Sequence, residues 1–326
     1  MKIVVTGATG FLGRHLVPAL ERAGHQVVSA TRRPPAPGGQ PETGCARWVE
    51  FDLERPHTVQ AALAGADAAY YLVHHMDGRP GYAAREADSA RLFAREAEAA
   101  AVKRIIYLGG MRPRRGTPSA HLESRLHTGV LLRQGRVPVF ELRAGMIVGA
   151  GSQSWQIVRD LSARLPFMVL PRWLQAKSAP AALSDVLDAL AHAAGLPVAC
   201  AGVYGLPGPA ALSGTEMLRQ TSRLLGLAPV MLKVPFLSPK LSSLWLRLVT
   251  RADVSVAREL VRGVAGDLEA GAPDFWSQMP GVFSPKPFRT AAAEALAADP
   301  RPFGTTGDLW EAMTLRLVGR SARAPA

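Results

Sequence analysis

Cysteine is nearly absent: Cys45 and Cys200 are the only two in 326 residues. That is too few for a disulfide framework or a cysteine-built zinc site, and it fits a reduced, cytoplasmic setting. No apolar run reaches the ~18 residues of a membrane-spanning helix before Gly, Pro or Arg interrupts it. The chain opens "MKIVVTGATG", without the charged leader, hydrophobic stretch and cleavage site of a secretory signal. Acidic residues are outnumbered, 26 Asp plus Glu against 38 Lys plus Arg for a net charge of +12. Such a balance favours an anionic partner: a phosphate-bearing cofactor, a membrane surface or nucleic acid. The positive charge is spread along the chain with no arginine-rich arm or zinc-finger spacing, so nucleic acid is set aside. No two histidines stand at helical i, i+4 spacing with a third ligand, so no metal is expected. Internal repeats are also lacking.

What is present is an alternation of short β-branched runs with amphipathic helical stretches, the pattern of a parallel sheet covered on both faces. Strands are predicted at 2–7, 25–31, 66–74, 103–110 and 137–149, with a further one before the "EFDLERP" segment, and helices near 11–23, 59–64, 82–101 and 122–134. The fold class is therefore α/β, a doubly wound parallel sheet. The Pro/Gly-rich stretch 32–44 reads as a loop. From Gly151 the pattern loosens into helical stretches (152–164, 184–194, 213–225, 238–249, 255–266) and short strands in "GVYGLPG" and "VMLKVP". Three parts are expected: residues 1–150, a dinucleotide-binding domain; 151–318, a smaller, mostly helical substrate or lid region interleaved with it; and 319–326, a tail.

"VVTGATGFLG" leaves the first strand and opens the first helix, placing Gly7, Gly10 and Gly13 at G-x-x-G-x-x-G spacing. Gly7 permits the tight turn, Gly10 lets the backbone approach a pyrophosphate, and Gly13 allows the helix to pack closely on the sheet. Thr9, Phe11 and Leu12 belong to the same phosphate-facing turn, where helix amides meet the anion. About 20 residues on, where an acid would hold the ribose hydroxyls of NAD, the chain reads "SATRR". Thr31, Arg32 and Arg33 offer a hydroxyl and two guanidiniums, suited to a 2′-phosphate, so NADP is favoured over NAD. Asp52 is placed to accept from an adenine amino group with Leu53 packed beside the ring, or else to cap the following helix.

Together "TGATGFLG", "FDLERP", "YYLVHHM", "VKRIIYLGG", "VFELRAGMIVGAGS" and "ALSDVLDAL" resemble the extended and atypical branches of the short-chain dehydrogenase/reductase superfamily, in particular its NmrA-like NAD(P)-binding subgroup. The resemblance implies a Rossmann fold and covers most of the first two-thirds of the chain. It places Leu72, Val73 and His74 alongside the cofactor ribose and nicotinamide, with Gly109 nearby. Full members carry a Tyr-x-x-x-Lys pair and a Ser or Thr at the preceding strand end. Laid onto "HLESR", the tyrosine position is His121 and the lysine position Arg125, while the serine position falls in Gly109 to Met111 with no hydroxyl. The resemblance also puts Arg143 on the substrate side and Asp185 at a helix start beneath the pocket.

His121 has the side-chain chemistry to replace tyrosine as proton donor. Arg125 lies on the same helical face, can hold the ribose or a phosphate, and would depress the pKa of the histidine. The alternative is a helix-start histidine without chemical role, since Glu123 is the sole evident carboxylate to orient it. His74 and His75 end the fourth predicted strand, where ligands of open α/β sheets sit. Tyr71 and Tyr82 offer further hydroxyls, although Tyr71 also suits strand core. Trp155, Phe167, Met168 and Trp173 fit either an apolar substrate pocket or ordinary core. The stretch 236–263 mixes Leu, Trp and Val with Lys240, Arg247, Arg251, Arg258 and Arg262, which suits a peripheral membrane or protein contact as well as a docked helical pair. Two functions follow. One is an NADP-dependent oxidoreductase acting on a small or apolar carbonyl, enone or quinone-like substrate, with catalytic His121, Arg125 and His74. The other is a non-catalytic NADP(H)-binding redox sensor or assembly factor.

Overall fold

Ile3, Val4 and Val5 are all fully buried, but not in one place: Ile3 and Val5 face one apolar cluster and Val4 the other. A strand covered on both sides reads as a continuous apolar run, which is why this one looks so uniformly β-branched. The computed structural model describes residues 1–35, 47–74, 81–115, 117–234 and 266–299, with positions 250 and 311. Its central sheet has seven strands: β1 (Lys2–Thr6), β2 (Gln26–Thr31), β3 (Trp48–Glu50), β4 (Ala68–Tyr71), β5 (Arg104–Gly110), β6 (Val139–Ala144) and β7 (Gly202–Gly205). All pairings are parallel, in the order β7-β6-β5-β4-β1-β2-β3.

Helix α1 (Phe11–Arg22) packs on one face together with α6 (Leu183–Gly195). On the other lie α2 (Pro56–Leu63), α3 (Tyr82–Ala99) and α4 (Ala120–Arg133), whose Val59, Phe93 and Leu132 are completely buried. Phe93 sits 4.8 Å from the Tyr71 ring, so the aromatic residue of α3 seats that helix against β4. Three further helices, α5 (Gln153–Arg164), α7 (Gly214–Leu224) and α8 (Phe288–Ala297), build a smaller cluster around Trp155, Met217 and Phe288. Because β2 continues the sheet to one side of β1 and β4 to the other, a crevice opens at their carboxyl ends, the topological switch point where such sheets bind ligands.

Several boundaries differ from expectation. The fourth strand stops at Tyr71 instead of His74, because its β1 partner ends at Thr6 and turns into the glycine loop. Helix α2 begins at Pro56, ahead of Val59, since proline at the first position presets φ and wastes no amide. The run 137–149 divides at Gly145, and Ile147–Val148 leaves the sheet to pair with Ala181–Ala182. The strand in "GVYGLPG" is not a minor C-terminal one: it is β7, paired with β6 from Gly202↔Phe140 to Gly205↔Arg143. Positions 238–249, 255–265 and 319–326, together with most of the Pro/Gly loop, lie outside the described residues. Among the described residues no helix is long and apolar enough to cross a membrane, and no group of three His, Cys, Asp or Glu is placed to hold a metal.

Candidate active site

The glycine turn is built so that backbone stands where side chains otherwise would. Gly7 has φ +66°, and a Cβ there would lie 2.9 Å from the Leu72 carbonyl oxygen. A Cβ on Gly13 would fall 2.4 Å from the Gly7 carbonyl oxygen, so α1 can approach the loop only with glycine at this position. The Gly10 amide donates to that same oxygen at 2.9 Å, closing the turn. Helix α1 then starts at Phe11 with no side-chain cap and no acid in its first turn, while Thr9 and Gly10 are exposed. Uncapped amides at an accessible helix start are what a pyrophosphate requires, so the residues present fit a dinucleotide. Gly151 has φ +87°, and a Cβ there would lie 3.4 Å from the Phe11 ring. Leu12, Leu72 and Val73 are partly buried around the turn.

At the end of β2, Thr31 is partly buried, and Arg32 and Arg33 are exposed with no carboxylate paired to either among the described residues. Asp52 is occupied otherwise than by an open acceptor role: its Oδ1 accepts from the Glu54 amide at 3.1 Å and its Oδ2 pairs with Arg55 Nε at 3.1 Å. Its own amide donates to Thr58 Oγ1 at 2.9 Å. The carboxylate thus shapes the start of α2, and Leu53 packs against the adjacent core.

Across the crevice, four side chains from three segments meet. His74 Nδ1 contacts Glu86 Oε1 at 2.5 Å, and His74 Nε2 lies 3.0 Å from His121 Nδ1. Ser124 Oγ donates to the other Glu86 oxygen at 2.7 Å. Glu86, on α3, is 1 % exposed, and His121, in the first turn of α4, is 8 % exposed. Burial pushes the Glu86 carboxyl up, but His74, the Ser124 hydroxyl and Arg125 outweigh it and hold the pKa below the ordinary value. Burial foremost, then His74 and Arg125, drive His121 down to about 3, with only Glu86 opposing. Ser119 caps α4 by accepting the Leu122 amide, which fixes the turn that carries His121.

The sequence reading brought His74, His121 and Arg125 to this place but missed Glu86 and Ser124, and the carboxylate it considered, Glu123, is exposed. A signal for Glu86 existed: it stands on the buried stripe of α3 with Ala90, Phe93 and Ala97, and a charge on an apolar face calls for a partner. Arg125 is turned to the strand beneath, donating to the Leu108 carbonyl at 2.6 Å. Gly110, at the position lacking the hydroxyl, would have a Cβ 3.5 Å from Arg125 Nε. Tyr107 donates to the Arg125 carbonyl at 2.8 Å, and burial raises its phenol to about 12. Tyr71 is core, 1 % exposed, with a pKa raised by burial.

Other singled-out residues serve the frame. Arg143 Nε pairs with the fully buried Glu141 at 2.7 Å, a carboxylate that Arg133 also contacts. Gly129 makes room for it, since a Cβ there would fall 2.4 Å from Glu141 Oε2. Asp185 accepts from the Lys286 amide at 2.7 Å, just before α8, instead of capping its own helix. Trp155 and Met168 are core, whereas Phe167 is 69 % exposed and Trp173 partly so. His75 lies outside the described residues.

Residues 7–132 match a family model described as NAD(P)H-binding. The chain is 28% identical over 241 residues to a ceramide reductase of Caulobacter vibrioides, covering 72% of this chain and 73% of that protein. Its fold is similar to an Escherichia coli NADPH-dependent quinone oxidoreductase complexed with NADPH, with TM-score 0.68, 20% identity, and 90% of this chain and 99% of that one covered. A nucleoside-diphosphate-sugar epimerase from Staphylococcus aureus matches with TM-score 0.67 and 16% identity, over 90% of this chain and 100% of that one. With the glycine turn and the uncapped α1 start, these likenesses show an NAD(P)H-binding domain over residues 7–132 and, for the chain as a whole, the Rossmann-like fold of these reductases and epimerases.

Proposed function

We propose that the protein is an NADP(H)-dependent oxidoreductase that interconverts a carbonyl and an alcohol on a small or apolar substrate, with His121 in place of the usual tyrosine. The observation that carries this reading is the link from His121 to His74 at 3.0 Å and on to buried Glu86 at 2.5 Å. A histidine that merely starts a helix has no use for a buried carboxylate held behind it, and burying that charge costs stability unless something is gained. A base whose ring is oriented by a second group is the arrangement proton transfer requires. When bound, the dinucleotide supplies or accepts the hydride. The chain's own part is to bind it at the α1 amides, to exclude water with the α3–α4 face, and to move a proton at His121. Arg32 and Arg33, exposed and with no carboxylate paired to either among the described residues, favour NADP over NAD. The names of the ceramide reductase and the quinone oxidoreductase support an apolar reducible substrate.

A second reading, a non-catalytic NADP(H)-responsive protein, draws on the missing hydroxyl at Gly109 to Met111 and on Arg125 being tied to the Leu108 carbonyl. Purified protein titrated with NADPH by fluorescence, then followed at 340 nm with ketones, aldehydes, enones, quinones and long-chain keto-lipids, separates the two. Tight binding with turnover of a carbonyl is expected. Tight binding with no turnover of any member of the panel would sink the enzyme reading in favour of the sensor.

A further inference from the structure

Proton positions in the histidine cluster can be derived by counting donors. The Ser124 hydroxyl donates to Glu86 Oε2 at 2.7 Å, and Glu86 is ionised at neutral pH because its pKa is held down. An ionised carboxylate only accepts. The 2.5 Å contact from its Oε1 to His74 therefore needs the hydrogen on His74 Nδ1. In the state in which His74 is neutral, its Nε2 carries a lone pair, and the 3.0 Å contact to His121 is then filled only by a hydrogen on His121 Nδ1. That contact is the one hydrogen bond of the His121 ring among the described residues, and its Nε2 is not among the buried polar atoms sealed from solvent.

We infer that Glu86 and Ser124 are positioning residues that hold His74 and His121 each as the Nδ1–H tautomer, leaving a bare Nε2 lone pair on His121 as the proton acceptor for an alcohol substrate. The inference rests on the oxidoreductase reading above for its role, though not for its geometry. In alcohol oxidation the substrate O–H bond breaks and its proton bonds to His121 Nε2. The Nδ1–H bond of His121 breaks in turn, and that proton bonds to His74 Nε2. The oxidised dinucleotide, when bound, would accept the hydride from the same carbon. His121 ends neutral, and the positive charge rests on His74 against the Glu86 carboxylate. Run in reverse, the same chain delivers a proton for carbonyl reduction, so reduction needs the pair to be loaded with one extra proton.

The arrangement also accounts for two observations that conflict at first sight. His121 stands at the proton-donor position, yet burial, His74 and Arg125 hold its pKa down to about 3. A relay removes the conflict, because the charge never has to stay on His121 beside Arg125; it moves to the ring that touches Glu86. Among the described residues, Tyr71 on β4 and Tyr107 on β5 also act on the cluster, both with raised pKa values and so neutral at physiological pH.

Long-range 1H–15N correlation spectra of 15N-histidine-labelled protein read the tautomers directly, with His121→Gln and His74→Gln spectra assigning the rings. The expected result, at the alkaline end of a pH series where His74 is neutral, is Nδ1–H for both rings in the wild type, and a shift of His121 toward the Nε2–H form, which an unconstrained imidazole prefers, in Glu86→Gln. An Nε2–H His121 in the wild type in that state overturns the inference at once, as does a Glu86→Gln spectrum indistinguishable from it. Should Glu86→Gln fold poorly, Ser124→Ala serves: the His74 Nδ1 proton resonance is expected to move as the carboxylate loses its second donor, and an unmoved resonance counts against the role of Ser124. None of these readouts needs turnover. A protein with the expected tautomers and no reaction would refute the oxidoreductase reading while leaving the proton pattern intact.

Discussion

The two walls of the crevice are made in different ways. The wall that faces phosphates is backbone: one loop and one helix start, contiguous from Gly7 to Gly13, shaped by where a Cβ cannot go. The wall to which we assign proton transfer is side chain: His74 after β4, Glu86 on α3, and His121 and Ser124 on α4, 50 residues from first to last in sequence. Binding a pyrophosphate needs amides and a dipole, which any helix start supplies once glycine lets it in. Moving a proton needs named donors and acceptors within about 3 Å of each other, which only tertiary packing brings together. The first wall is therefore a local device, and the second is where this chain has His121 and Arg125 in place of a tyrosine–lysine pair.

The comparison breaks most sharply if His121 is removed. His121→Phe should lower turnover about 10²–10⁴-fold, the usual contribution of a general acid or base, and leave NADPH affinity within about twofold, because the phosphate wall is untouched. Rates unchanged by that substitution would move the proton donor elsewhere. The converse is Gly13→Ala, whose methyl would fall 2.4 Å from the Gly7 carbonyl oxygen. Either α1 or the loop must shift, and NADPH affinity should fall about 100-fold, with the helix dipole drawn back from the phosphates. His74 and His121 should keep their tautomers in this variant, and a loss of both functions together would mean that the walls are not independent.

Acid should separate the walls as well. The folded protein refuses His121 a proton down to about pH 3, whereas the unfolded chain binds one near the ordinary value of 6.5. A depressed pKa contributes stability that is present above the unfolded value and lost as pH falls toward the folded one. Between about pH 7 and pH 5 the loss should come to about 2 kcal/mol. His121→Gln should flatten that slope in denaturant titrations; an equal slope in both proteins would show that another group carries it.

The contrast also explains what the sequence made legible. The glycine turn and the alternation of strands with helices could be read because each depends on neighbours a few residues apart, and the place of His121 followed from the resemblance of "HLESR" to the Tyr-x-x-x-Lys pattern. Glu86 could not be read as an orienter of the histidines, because nothing local ties position 86 to positions 74 and 121; only the packing of α3 beside α4 does. Asp52 was read with two roles open, and its contacts with Glu54 and Arg55 are those of a residue that begins α2. The seventh strand was misplaced for a related reason: Gly202–Gly205 is short and glycine-bounded, and its membership of the sheet is decided by its pairing with β6.

The smallest effect tests the edge of the phosphate wall. Arg32 and Arg33 are exposed at the end of β2, so a contact to a 2′-phosphate there is partly screened by solvent and salt, and removing it should cost about tenfold, near 1.4 kcal/mol. Arg32→Asp should weaken NADPH binding by about that factor and leave NADH binding level or slightly improved, since a carboxylate can accept from the ribose hydroxyls. The NADPH loss should shrink further as salt rises, because the interacting charges are open to counterions. Equal losses for both dinucleotides would remove the 2′-phosphate from Arg32 and leave the choice of cofactor to the turn itself, which does not distinguish them.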